Sequence, residues 1–578
     1  MQYLFEVNSP QHQFVTITAT LSTKNQDVTI LEFPTWRPGR YQIADFAKNI
    51  KCFQVFDIDG NRLEYTKISK STWEINTKNV ETFKVKYNFY ASELNAGSTY
   101  LDASQLYVNP VNCCVFNPNQ AEEEIEVDLD IPEEWDVANS LTTTKNHFKA
   151  KNFDEFVDSP FICSADLQHA SYEVKGTKFH VWFNGIVKPD WDMLISDFVK
   201  FTEKQIEKFL EFPTKEYHFF FQILPYKTYH GVEHKNCTVI TLGPSYAVFE
   251  EFYKELLGVS SHELYHTWNV KSIRPIEMMP YDFTQENFSQ LGYIAEGVTT
   301  YMGDLMLYKS GVFKLEQYFF EMNTQLQRHF DNFGRFNYSV AASSWDTWLD
   351  GYESGAPGRK VSIYTEGCLL AFITDVLILK ATKNKRGLDD VMRSLYFNFG
   401  KTEIGVSEED YKQAIENVAG ESFDWFFEDY IHGTKAYSTL LVDCFEYIGI
   451  EMKHEPLKDP VAAWLGAKIN VVDNKTIITA IYPGSSIDLA GGMIGDEILA
   501  INEVKINNDL QRWVNFFIED IKHLTVERKG KVVSYSIPET NRPFYQRYWL
   551  EKVVDPDKNQ INAFDGWRNT ELGERGRK

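Results

Sequence analysis

The chain has 578 residues, 43% of them apolar, and a formal net charge of −24. At about 150 residues per domain this length holds three to four domains, and the apolar share is enough to fill their cores. The acidic balance excludes non-specific nucleic-acid binding, which needs a basic footprint.

Residues 1 to 185 are predicted to form an antiparallel β-sandwich. Val15, Ile17, Ala19 and Leu21 occupy alternate positions, as do Phe83, Val85, Tyr87 and Phe89, and then Ile125, Val127, Leu129 and Ile131. A period of two with one polar face marks half-buried strands, and Asp59-Gly60-Asn61 marks a turn between them. Trp36-Arg37-Pro38-Gly39-Arg40-Tyr41 breaks the alternation and reads as a packed Pro-Gly loop flanked by aromatics.

From about 190 the pattern changes. Trp191 to Phe212 has helical character and is ended by Pro213. Tyr217 to Leu224 and Thr238 to Leu242 are predicted strands, with Tyr229-His230-Gly231-Val232-Glu233-His234 between them. Mostly helical sequence follows, so residues 186–450 are expected to be an α+β, largely helical domain. A third, smaller unit is expected over 451–545 and a polar tail over 546–578. Seven cysteines without a CxxC pair read as free thiols. The amino terminus lacks the basic and apolar segments of a signal peptide, and no run of 18 apolar residues occurs. The expectation is a cytoplasmic chain with no membrane partner.

The chemistry concentrates in His262-Glu263-Leu264-Tyr265-His266 and, 30 residues on, Ala295-Glu296-Gly297. Helical positions i and i+4 share a face, so His262 and His266 project together and can hold one metal ion. Glu263 lies beside that ion and suits the role of general base. A catalytic zinc takes three protein ligands and keeps a position for water, and Glu296 is the best candidate for the third. It sits among Leu291, Ile294, Val298, Met302 and Leu305 at helical spacing.

These residues resemble the glycyl aminopeptidase family of zinc metallopeptidases. The match runs from His262 to Lys271 and continues in Arg274-Pro275. It includes Glu296, Gly297, Thr299 and Tyr301, the segment from Trp36 to Tyr41, and Leu465-Gly466 with Gly495 to Ile498. The resemblance implies a thermolysin-like catalytic domain, a PDZ-like domain over 451–545, and one zinc ion per chain. It also implies peptide substrates with a free amino terminus and a first residue of Gly or Ala. By position, it makes Gly231, Glu233 and His234 the segment that holds the substrate ammonium, and Tyr364 the oxyanion donor. Two departures from the family pattern are His230, where Gly is usual, and Glu366, where Lys is usual. The PDZ-like unit would take a peptide carboxyl terminus or serve only to pack and to form a homo-oligomer. Two other readings stand beside the aminopeptidase: a zinc endopeptidase, and an inactive scaffold that works through its PDZ-like unit.

Overall fold

Alternation in the first part of the chain becomes sheet. In the computed structural model, which describes residues 1–569 apart from 354, 518, 519 and 521, strand Phe14–Ser22 pairs antiparallel with Thr82–Tyr90. The register sets Val15 opposite Phe89 and Leu21 opposite Phe83, so the apolar positions of both strands fall on one face. All eight of those alternating residues are buried. Their seven-stranded sheet shares one core with a four-stranded and a three-stranded sheet. Phe5 meets Phe161 edge to face at 5.4 Å, and Trp73 stacks on Phe53 at 4.7 Å. Each such ring contributes roughly 1.5–3 kcal/mol through burial. Met278, Tyr281 and Phe283 belong to the same core, which draws the segment after His266 against the N-terminal sheets.

A separate five-stranded sheet has the order Gln168–Val174, Thr177–Gly185, Glu216–Ile223, Cys237–Gly243, Thr228–Glu233. Residues 168–185 were expected in the sandwich, but Gln168–Val174 pairs with Thr177–Gly185, which in turn pairs with Glu216–Ile223. A two-residue period identifies a strand, not its partner, so the sequence pattern could not separate the two sheets. The parallel pairing is bridged by helix Trp191–Phe209. Asp190 caps that helix by accepting from Met193 N–H at 3.1 Å. Beyond the sheet the chain is largely helical. Helix Ile363–Ala381 is buried on nearly every side, the behaviour of a helix that is apolar all round. No helix among the described residues is long and apolar enough to cross a membrane. All seven cysteines are free, and six are buried.

The chain divides into two compact units. One comprises residues 1–318, 333–448 and 557–578, and the other residues 319–332 and 449–556. The second unit contains a sheet with the order Ala467–Val472, Lys475–Ile481, Glu497–Ile501, Lys522–Arg528, Lys531–Ile537. Ile478, Ile498, Leu510, Val514, Leu524 and Val526 form its core. Of the stretch read as a polar tail, the described residues 546–569 form a strand and a helix, and 570–578 lie outside the described residues. Gln546–Lys552 pairs with Ile450–Pro456 inside the second unit, and Lys558–Asn569 is a helix of the first. Trp567 on that helix is fully buried, and its indole N–H donates to the Tyr301 hydroxyl at 3.0 Å.

Candidate active site

Helix Tyr253–Tyr265 buries Leu256, Leu257, Val259 and Leu264 and carries His262 and Glu263, with His266 as its C-cap. It lies against helix Thr299–Lys309, where glycine permits the approach: a Cβ at Gly303 would stand 3.0 Å from the His262 Cα. Glu296 comes from the turn that feeds that second helix. Tyr293–Val298 is wound as a π-helix, where an ordinary α-helix was expected. Single π turns recur at functional sites because the extra residue re-aims a side chain. Gly297 is needed there, since a Cβ would lie 2.3 Å from the Cα of Gly367. That contact brings in helix Ile363–Ala381, capped by Ser362, with Tyr364 in its first turn.

The three predicted ligands converge. The Nε2 atoms of His262 and His266 are 3.0 Å apart. Glu296 Oε2 lies 3.4 Å from His266 Nε2 and 3.8 Å from His262 Nε2. His266 Nδ1 stands 2.7 Å from the Asn269 carbonyl oxygen. A carbonyl only accepts, so Nδ1 carries a hydrogen and Nε2 is the ring atom left to face a ligand. The Asn269 side-chain amide donates to the Ile294 carbonyl at 2.9 Å and to Thr299 Oγ1 at 3.0 Å, tying the two ligand-bearing segments together.

Carboxylates crowd this centre. Glu233, Glu263 and His266 also have ligand atoms within 4.8 Å of one another. Glu263 is 5% exposed, and its Oε2 has no hydrogen-bond partner among the described residues. Burial pushes Glu263 up to about 8 against the pull of His266, and Glu233 and Glu296 add to the rise. Burial would lower His266, yet Glu296, Glu233 and Glu263 outweigh it and raise the imidazole to about 9. Three buried carboxylates, an orphaned oxygen and two facing imidazole nitrogens fit a divalent cation, which would take the place of the proton that the carboxylates draw onto His266 and balance their charge. Two His and one Glu are a zinc donor set.

The edge strand Thr228–Glu233 pairs with Cys237–Gly243, with Gly231 opposite Ile240 and Glu233 opposite Thr238. Residues two apart share a face, so Gly231 and Glu233 both look toward Glu263 and His266. A Cβ on Gly231 would stand 2.1 Å from Glu263 Oε1. His234 turns the other way: its Nδ1–H donates to Asp158 Oδ1 at 3.0 Å. Lys271 Nζ reaches the same oxygen at 2.8 Å, and the Lys235 N–H reaches Oδ2 at 2.8 Å. Of the three residues expected to hold the substrate ammonium, the structure therefore brings two to the metal centre and sets His234 behind the strand. Burial lowers His230 to about 4, with Arg37 and Arg40 contributing, so that ring is neutral. Tyr364 is solvent-reachable. Desolvation and the charge of Glu296 hold its phenol well above the ordinary value, so it remains a donor. Glu366 is buried on the same helix and accepts from the Tyr437 hydroxyl.

The N-terminal loop, expected to be mere packing, reaches this centre. Tyr41 donates its hydroxyl to Glu296 Oε1 at 3.3 Å. Gly39 (φ +74°) has its Cα so close to Glu233 that a Cβ would lie 2.5 Å from Oε2. Tyr41 ends the Trp-x-Pro-Gly-x-Tyr segment, and Asn269 and Thr299 lie inside the longer motifs. Those motifs were the available signal for all three, although their spacing assigns no roles.

Residues 2–165 match the family model of the peptidase M61 N-terminal domain, and residues 255–370 match that of M61 glycyl aminopeptidase. The fold is similar to the crystal structure of an aminopeptidase N family protein from Idiomarina loihiensis. The two are 24% identical with a TM-score of 0.89, over 98% of this chain and 100% of that chain. An M1 zinc metallopeptidase from Deinococcus radiodurans aligns at a TM-score of 0.47 and 12% identity, over 75% of this chain and 94% of that one. A search of curated proteins finds no match.

Proposed function

We propose, from the premise that this chain belongs to the M61 glycyl aminopeptidase family, that it is a zinc-dependent aminopeptidase that removes a small first residue, Gly or Ala, from peptides. The observation that carries this reading is the convergence of His262, His266 and Glu296, with Glu263 and Glu233 in the same buried space. His262, His266 and Glu296 would hold a zinc ion, which would supply Lewis acidity for attack by water on the scissile carbonyl.

The remaining work falls to side chains. Glu263 takes a proton from the attacking water and passes it to the leaving amine; such help is worth ~10²–10⁴-fold. Tyr364 donates its hydroxyl to the developing oxyanion. Glu233 receives the substrate ammonium through a charge-assisted hydrogen bond, so that the first peptide bond is the one presented for attack. The tight approach of Gly39 to Glu233 favours a small first side chain.

A panel of aminoacyl chromogenic substrates, with and without chelator, tests the reading. Hydrolysis of the Gly and Ala members that chelator abolishes and zinc restores is expected. Cleavage of an N-blocked peptide at an internal bond would favour an endopeptidase, and no hydrolysis at all would favour a scaffold. The sheet of the second unit is proposed as PDZ-like, taking a peptide carboxyl terminus near Leu465-Gly466. Gly466 has φ +75° and closes the turn after Val461–Leu465. An array of C-terminal peptides without a single binder would remove that role.

A further inference from the structure

The geometry points to Tyr41 as a positioning residue for the metal centre: its hydroxyl holds Glu296 in the orientation that leaves one carboxylate oxygen for the cation. The inference rests on the zinc reading above. Glu296 divides its two oxygens. Oε1 accepts from Tyr41 at 3.3 Å, while Oε2 is the atom nearest both imidazole nitrogens, at 3.4 and 3.8 Å. A carboxylate with both oxygens unrestrained can rotate about its terminal bond. A donor on one oxygen selects one rotamer and leaves the other oxygen's lone pair for coordination.

The donor is itself fixed. The Tyr41 N–H donates to the Tyr352 hydroxyl at 3.3 Å, and the Tyr41 ring meets Trp348 edge-on at 5.9 Å. At the root of the loop, the Thr35 N–H donates to the Phe283 carbonyl at 2.8 Å and Trp36 Nε1 donates to the Asp282 carbonyl at 2.6 Å. The N-terminal sheet-rich region thus completes a centre whose ligands all lie on later helices. The two outer contacts are complementary: Asn269 orients His266, and Tyr41 orients Glu296.

The test is zinc affinity, measured by competition with a chromogenic chelator. Tyr41→Phe keeps the ring contacts and removes only the hydroxyl. Its zinc dissociation constant is expected to rise ~10–100-fold, while the melting point of the metal-free protein stays at the wild-type value. In a Glu296→Gln background the same change should have little further effect, because Tyr41 acts through that carboxylate. Wild-type affinity in Tyr41→Phe overturns the inference, as does a full independent loss in the double variant or a lowered melting point without metal. A wild-type chain that takes up no zinc sinks the functional reading as well, whereas unchanged binding in the variant sinks this one alone.

Discussion

The two sides of the strand Thr228–Glu233 carry buried charge in opposite states. On one side Gly231 and Glu233 face a centre with three carboxylates, two imidazoles and an orphaned Glu263 oxygen. On the other, just past the strand end, Asp158 is fully engaged by Lys271, His234 and the Lys235 N–H. Burial alone would raise Asp158, yet Lys271 and His234 hold it well below the usual carboxylate range. The Asp158 carboxylate is satisfied on both oxygens from within the chain and reads as support. The three carboxylates of the other side outnumber the cations and donors around them, leave Glu263 Oε2 without a partner among the described residues, and read as a place for ligands. Both sides hold carboxylates away from solvent, so how each carboxylate is partnered is what separates them.

The sharpest way to break this contrast is on the open side. Glu263→Gln keeps the shape and removes the proton acceptor. Turnover should fall ~10²–10⁴-fold with zinc stoichiometry unchanged by metal analysis; a variant with wild-type kcat would return Glu263 to a spectator role. On the closed side, Lys271→Met strands Asp158 without its main counter-charge. Removing one partner of a buried pair costs about 3–5 kcal/mol, which should appear as a lower urea midpoint. Zinc affinity of the folded protein should hold, and a loss of zinc without a loss of stability would show the two sides to be one site. Also on the open side is Gly231, whose substitution tests how closely the strand is fitted to the base. In Gly231→Ala the new methyl would meet Glu263 Oε1, and a displacement near 1 Å is enough to lower kcat by ~10²-fold. Unchanged kcat would show that Glu263 has room to move aside.

How much of this could be read in advance follows from where each interaction lies along the chain. His262 and His266 are four positions apart, so their spacing alone puts them on one face of a helix, with Glu263 beside the first. The π turn at Glu296 depends on Gly297 meeting Gly367, a contact between distant segments that periodicity does not encode. Tyr41 reaches Glu296 across 255 positions, and nothing local distinguishes it from a packing aromatic. His234 is instructive because parity was available. Gly231 and Glu233 are two apart and His234 is one further, so a strand through all three must put His234 on the opposite side. The helix at 558–569 escaped notice because its buried residues, Ala563, Phe564 and Trp567, are scattered through a charged stretch. The strand boundary near 168 escaped because pairing is a property of the fold.

Acid offers the mildest perturbation of the comparison, and it acts on the closed side. Asp158 has a folded pKa depressed below its unfolded value, which is near 3.9. Its contribution to stability is therefore fully present above about pH 3.9 and is lost as the pH falls below that value toward the folded pKa. The measurement is the urea midpoint of the wild type minus that of Asp158→Asn, followed from neutral pH downward. Above the window the difference should be constant, because the carboxylate stays ionised and paired with Lys271. Below about pH 3.9 it should shrink, since a protonated carboxyl and an amide present nearly the same neutral group to Lys271 and His234. A difference that stays flat through acid would mean that Asp158 holds its strand by hydrogen bonding alone, and the charge argument for the closed side would go with it.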